Sequence, residues 1–401
     1  APLCPYTPRV FKIDLHTHIL PPPGRWPDWT KRSGYAGWIE LGRVGAPDDP
    51  AGDGALAQAG CACARMQRTE PDGSRTFFRQ IDANCWDPAA RRRDMSRTRV
   101  GAQVLSTVPV LFSYWARPQH GLDVSRWLND HLAEVCRADP ARFVGLGTIP
   151  MQDPALAIRE LERCVRELGF PGVQIGTNVN GLNLDDPGIV EVLAACERLD
   201  ACVFVHPWEM VQFGRHRSSH APESPTHVDR MTRHWMPWLV GMPAETCIAV
   251  CSLLMGGVLE RLPKLRICFA HGGGSFPFTL GRIEHGFFAR PDLCQTRTPT
   301  PPSAFLAKAL PDGQHQPAAF FVDSLTHDPY AIRTLIRLFG AERVALGSDY
   351  PFPLGEEVPG EMIESIRDLP KSDLRALLFG TAMAFLGQSN TGDLRRLAGS
   401  A

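Results

Sequence analysis

Lys12-Ile13-Asp14-Leu15-His16-Thr17-His18 reads as a short strand that runs out into two histidines. Runs of the same kind recur along the chain. With 12–15 as the first, they fall at 103–108, 143–148, 172–176, 202–205, 266–270, 320–324 and 343–347. They are nearly continuous in apolar residues, as strands covered on both faces should be. Helical segments with clear ends lie between them. Asp153-Pro154 offers an N-cap followed by proline at the first helical position, and the pattern continues over 155–168 to Gly169. Asp123 is expected to open a helix over 124–137, ended by Pro140. Asp87-Pro88 reads as the cap of a helix over 89–97 and not as a site.

Eight strands alternating with helices predict an α/β fold, a (β/α)8 TIM barrel. An open doubly wound sheet alternates too, but no Gly-x-Gly-x-x-Gly turn follows any of these strands. The whole chain, 1–401, is expected to be one barrel domain. Three polar stretches, 42–74, 211–228 and 297–317, read as flexible inserted loops.

Composition narrows the partners. Apolar residues make up 44% and charged residues 21%, with a formal net charge of -1 and interleaved signs. No basic stripe is present, which argues against nucleic acid. Residues 1–10 lack the apolar core of a secretory signal, and the apolar stretch 246–259 is too short to span a bilayer. A cytosolic protein off the membrane is the expectation. The twelve cysteines form no Cys-x-x-Cys pair and are expected to be reduced. Cys61 and Cys63 would give a metal only two ligands.

Barrels keep their chemistry at the C-terminal ends of the strands, and strong metal-ligand types fall there. His16 and His18 close the first strand, and residues i and i+2 of a strand point the same way. His206 ends the fifth strand, His271 the sixth and Asp349 the eighth. An isolated His-x-His pair is more often satisfied by backbone carbonyls than by a metal. Joined by His206 and Asp349, the pair predicts a catalytic Zn²⁺ site.

The stretch Ile13-Asp14-Leu15-His16-Thr17-His18 resembles the metal-binding opening of the amidohydrolase superfamily. Phe170-Pro171-Gly172-Val173-Gln174-Ile175-Gly176, Phe204-Val205-His206-Pro207-Trp208, Phe269-Ala270-His271-Gly272-Gly273-Gly274 and Gly347-Ser348-Asp349-Tyr350-Pro351-Phe352-Pro353 are similar to the 2-amino-3-carboxymuconate-6-semialdehyde decarboxylase family within it. The similarity runs from Lys12 to about Gly387. It implies His16, His18, His206 and Asp349 as zinc ligands and His271 as catalytic base. It also implies Arg79 at a substrate carboxylate, and Arg282 reaching into the neighbouring subunit's site of a homodimer. Two-metal relatives carry a lysine on the fourth strand; 172–177 has none, so one Zn²⁺ per subunit is implied. The implied reaction is a cofactor-free decarboxylation in the kynurenine pathway of tryptophan catabolism. Alternatives are a related decarboxylase or hydratase of aromatic acids, a metal hydrolase, or a non-catalytic binding barrel. The family's lysine before Asp72-Gly73 is replaced here by Glu70-Pro71. Trp208, Trp238 and Phe352 could belong to the pocket or to the core.

Overall fold

A computed structural model of the protein describes residues 11–43, 63–208, 210, 231, 233–311 and 314–387. Eight strands form one sheet in chain order: β1 (Ile13–Ile19), β2 (Ala102–Thr107), β3 (Phe143–Thr148), β4 (Gly172–Gly176), β5 (Cys202–His206), β6 (Ile267–Phe269), β7 (Phe321–Asp323) and β8 (Val344–Ala345). Every neighbouring pair is parallel. The chain leaving β8 closes the ring, with Leu15 N–H donating to Leu346 O and His18 N–H to Tyr350 O, both at 2.8 Å. The expected (β/α)8 barrel is therefore present, and each expected run contributes a strand. β1 runs longer than expected because its polar end stays paired, His18 with Ser106 and Ile19 with Thr107.

Strand periodicity sorts the two layers of core. On β5, Cys202 and Phe204 join an inner cluster with Leu146, Cys268, Phe321 and Ala345, while Val203 and Val205 join the outer cluster beneath the helices. His206 continues the inward parity of 202 and 204, above that apolar floor. Phe385 and Leu386 seal the inner cluster from the other end.

The longer helices among the described residues are α1 (Pro88–Thr98), α2 (Pro118–Ala138), α3 (Pro154–Arg166), α4 (Pro187–Arg198), α5 (Met242–Met255), α6 (Phe276–Ala289) and α7 (Pro329–Phe339). An Asp-Pro start recurs: Asp87, Asp153, Asp186 and Asp328 each accept a first-turn N–H while proline occupies N1. Such a cap contributes about 1 kcal/mol. The expectation for Asp123 was wrong. α2 opens at Pro118, five residues earlier in the chain, because proline already fits the first helical position and Asp123 then lies inside the helix. The stretch 246–259 is also divided. α5 ends at Gly256, and a short turn, Val258–Arg261, starts after Gly257 in the left-handed region. Pro237–Met255 is long and apolar enough to cross a membrane by length and composition, yet Ala249, Val250, Leu253 and Leu254 are packed into the outer core.

Part of the 42–74 stretch is not loop. Cys63–Thr69 is the central strand of an antiparallel sheet between Ile39–Arg43 and Arg75–Asp82. Alternation explains it, since Ala64 and Met66 face a cluster with Trp38, Leu41 and Ile81. Within 297–317, Lys308–Ala309 pairs with His315–Gln316. The stretch 211–228, and the rest of 42–74 from 44 to 62, lie outside the described residues.

Candidate metal centre and its cleft

His16, His18, His206 and Asp349 converge at the strand ends, each offering one donor atom with all four atoms within 4.8 Å of one another. The register of β1 against β2 shifts between Asp14 and Thr17, so His16 lies within this local irregularity and His18 just beyond it. His16 Nε2 lies 3.2 Å from His18 Nε2, and Asp349 Oδ1 lies 3.1 Å from His18 Nε2 and 3.5 Å from His16 Nε2. The opposite nitrogen of each ring is engaged. His16 Nδ1 donates to Asp323 Oδ2 at 2.7 Å, His18 Nδ1 to Thr107 O at 3.0 Å and His206 Nδ1 to Pro207 O at 2.9 Å. Three Nε2 lone pairs and a carboxylate oxygen are thereby turned toward one point. His206 Nε2 is buried with no hydrogen-bond partner among the described residues. This donor set fits a divalent cation.

Burial and the neighbouring imidazoles hold His206 well below the usual histidine range. Burial also lowers His18 against the pull of Asp349. His16 is pushed down by burial, but its bond to Asp323 and the charges of Asp323, Asp349 and Asp14 carry it above the ordinary value. Burial would raise Asp349; the His18 bond and the nearby rings bring it to about 2. His271 stands with its ring centroid 5.2 Å from that of His16 and 5.1 Å from that of His206. Burial first, then the His16 charge, lower it to about 4, so it is neutral at pH 7. Its Nδ1 is buried without a partner among the described residues.

Backbone chemistry places these groups. His271 and Asp349 both have φ of 56°, a left-handed conformation in which Asp and His are enriched among non-glycine residues. Gly347 is required for another reason: an added Cβ would lie 2.8 Å from the Cβ atoms of both Asp323 and His16. Asp14, fully buried, accepts from Ser348 Oγ at 2.5 Å and Ser348 N–H at 3.1 Å, tying β1 to the segment that carries Asp349.

A cleft opens at the donors, lined by His18, His206 and Asp349 together with Phe78, Arg79, Trp208, Trp238 and Phe352. Trp208, Trp238 and Phe352 thus all reach the cleft, and Trp208 and Phe352 also pack against the core. Arg79 projects from Arg75–Asp82, its guanidinium 4.8 Å from the Phe352 ring centre and 5.4 Å from that of Phe78. Burial lowers its pKa from the usual arginine value, and it forms no ion pair with any described residue. Arg282 lies exposed on α6, away from the cleft of its own chain. Glu70 sits in the hairpin turn before Arg75–Asp82, bonded to Arg68 and Thr76.

Two residues of this rim were not foreseen. Asp323 ends β7 inside an apolar run, and a carboxylate at a barrel strand's C-terminal end is the signal that could have found it. Arg91, fully buried on α1, donates to His18 O at 2.6 Å and to Gln103 Oε1 at 3.1 Å, with its guanidinium 4.8 Å from the Tyr350 ring centre. Only its helix was legible in the sequence.

A (β/α)8 barrel that carries a His-x-His pair on its first strand, a histidine on its fifth and an aspartate past its eighth defines the metal-dependent amidohydrolase class. The amidohydrolase family model matches residues 13–388. A Dictyostelium discoideum protein named 2-amino-3-carboxymuconate-6-semialdehyde decarboxylase is 50% identical, over 94% of this chain and 92% of its own. A Caenorhabditis elegans protein of the same name is 35% identical, over 96% of this chain and 97% of its own. The chain belongs to the amidohydrolase family and, within it, to the group of the 2-amino-3-carboxymuconate-6-semialdehyde decarboxylases. Its fold is also similar to a solved dihydroxybenzoic acid decarboxylase from Polaromonas sp. with bound manganese and an inhibitor, 2-nitroresorcinol. That match has a TM-score of 0.64 at 20% identity and covers 96% of this chain and 100% of the other.

Proposed function

We propose that this chain is a zinc-dependent carboxy-lyase that converts 2-amino-3-carboxymuconate 6-semialdehyde to 2-aminomuconate 6-semialdehyde and carbon dioxide. The carrying observation is the convergence of four donor atoms within 4.8 Å, beside an arginine that forms no ion pair with any described residue, in one largely aromatic cleft. The substrate is supported by the 50% identity with the Dictyostelium discoideum relative. In this reading His16, His18, His206 and Asp349 hold one Zn²⁺, His271 is the catalytic base and Arg79 binds a substrate carboxylate. Three imidazoles with one carboxylate suit zinc. The manganese in the Polaromonas sp. structure makes the choice of ion a point to measure.

A bound divalent cation supplies hydroxide at neutral pH by lowering the pKa of water to about 7. The chain's own residues do the rest. Arg79 offers parallel N–H donors to one carboxylate, in a wall that is otherwise apolar. Phe78, Trp208, Trp238 and Phe352 exclude water from the conjugated chain. His271, held neutral by burial, accepts a proton and returns it to the carbon that loses carbon dioxide. The electron pair of the broken bond is taken up by the conjugated semialdehyde, so no organic cofactor is called for.

A homodimer is part of this reading. Phe278 is 63% exposed four residues before Arg282 on α6, and Phe288 on the same helix is 59% exposed. Leu239 and Val240, just ahead of α5, are also exposed. Uncovered apolar surface of this kind marks a protein interface, and a second copy covering it would present Arg282 to the neighbouring site. The whole chain then acts as one domain of a cytosolic enzyme that diverts tryptophan catabolism from quinolinate and hence from NAD synthesis.

The test is metal content together with turnover. Purified protein should carry one zinc per chain and speed the loss of the substrate's absorbance beyond its spontaneous decay. Zinc-loaded protein that leaves this substrate untouched while decarboxylating dihydroxybenzoates would move the assignment to the aromatic-acid branch.

A further inference from the structure

Asp323 ends β7 fully buried beneath the cleft, and its two oxygens face different partners. Oδ2 accepts from His16 Nδ1 at 2.7 Å. Oδ1 accepts from the backbone N–H of Gly272 at 2.9 Å and of Leu325 at 3.1 Å. One carboxylate therefore joins a metal-site histidine to the turn that begins with His271, whose φ is 56°. The missing side chain of Gly347 lets Asp323 and His16 approach this closely.

We propose that Asp323 is a positioning residue that dictates the tautomer of His16, keeping the proton on Nδ1 and the lone pair of Nε2 toward the cation, while it pins the His271 turn. This rests on the metal-centre reading above. A neutral imidazole carries one ring proton, and the partner of one nitrogen decides which nitrogen holds it. An ionised carboxylate can only accept, so the proton stays on Nδ1.

Asparagine has nearly the same shape and the opposite instruction. The N–H groups of Gly272 and Leu325 both point at the Oδ1 position, so the amide oxygen of an Asp323→Asn side chain is drawn there. Its NH₂ group is then turned toward His16 Nδ1. That nitrogen must accept, the proton passes to Nε2, and Nε2 can no longer bind a metal. Alanine removes the instruction without reversing it.

Zinc affinity of the metal-free wild type, Asp323→Asn and Asp323→Ala, measured by competition with a chromophoric chelator, tests this. Loss of an orienting partner typically weakens metal binding by roughly 10- to 100-fold. The Asn variant is expected to lose at least that much and to bind more weakly than the Ala variant, with both metal-free proteins still folded by thermal unfolding. Equal losses in the two variants would reduce Asp323 to a packing role and overturn the proposal, as would wild-type affinity in Asp323→Asn. Should the variants fail to fold, ¹⁵N-histidine NMR of the metal-free wild type, read at a pH where the His16 ring is neutral, decides the point. His16 protonated on Nδ1 supports the proposal, and protonation on Nε2 overturns it. Wild-type protein that takes up no zinc would overturn the metal centre itself, whereas zinc-binding wild type beside unaffected variants overturns only this inference.

Discussion

Nε2 of His16 and Nε2 of His18 face each other at 3.2 Å, although Nδ1 of each ring already donates to a separate acceptor. With both rings neutral and each proton on Nδ1, two lone pairs oppose each other in a buried site, an arrangement that a cation shared by both relieves. Metal should therefore stabilise the fold. Zinc at 100 times its Kd should add about 2.7 kcal/mol to the unfolding free energy if it binds only the folded chain. Chelation should lower Tm and zinc should restore it. A Tm indifferent to metal would remove the centre from the structure's stability.

His271 belongs to the rim without being one of the four donors, so its loss should separate binding from turnover. Asn is the better replacement, because it tolerates the left-handed backbone with φ of 56° that Ala would strain. His271→Asn should keep one metal per chain while kcat falls by about 10²- to 10⁴-fold, the usual contribution of a positioned general base. Activity that survives with metal in place would show that the proton moves by another route.

The barrel was legible because parallel strands buried on both faces leave continuous apolar runs, and the four donors because barrel chemistry gathers at strand ends. His206 could be assigned to β5 from its run alone. The exact course of the rim was not legible. The register shift in β1 depends on pairing with β2, and the approach of Asp323 to His16 depends on the absent side chain of Gly347. Arg91 reads as one more arginine in Arg91-Arg92-Arg93, and only the fold shows it buried against His18. The Asp123 error has a simple cause: two helix-start signals lay close together, and the proline-led one prevailed.

The pH dependence follows from the direction of the His271 shift. Burial lowers its folded value to about 4, against 6.5 for the unshifted group. Between those values the unfolded chain binds more protons than the folded one, so this residue's contribution to stability rises with pH and is lost on acidification. Burial gives His18 and His206 the same sign, and His16, raised by its aspartates, opposes them. Metal-free wild type should thus lose stability from pH 6.5 toward 4 more steeply than metal-free His271→Asn. Parallel curves would mean that His271 titrates normally in the folded chain.

Arg282 gives the proposed dimer its sharpest test, because it lies on the outside of α6 and does not line its own cleft. If it serves the neighbouring site, Arg282→Ala and His271→Asn damage each site from different chains. A mixed dimer then contains one site with both defects and one with neither. Two inactive proteins, mixed and allowed to exchange subunits, should recover about a quarter of wild-type activity, since random pairing makes half the dimers mixed and each of these has one whole site. Were Arg282 to act within its own chain, every site in the mixture would keep one defect and nothing would return. Recovery should also track subunit exchange, appearing as mixed dimers form and failing when the two proteins are cross-linked beforehand.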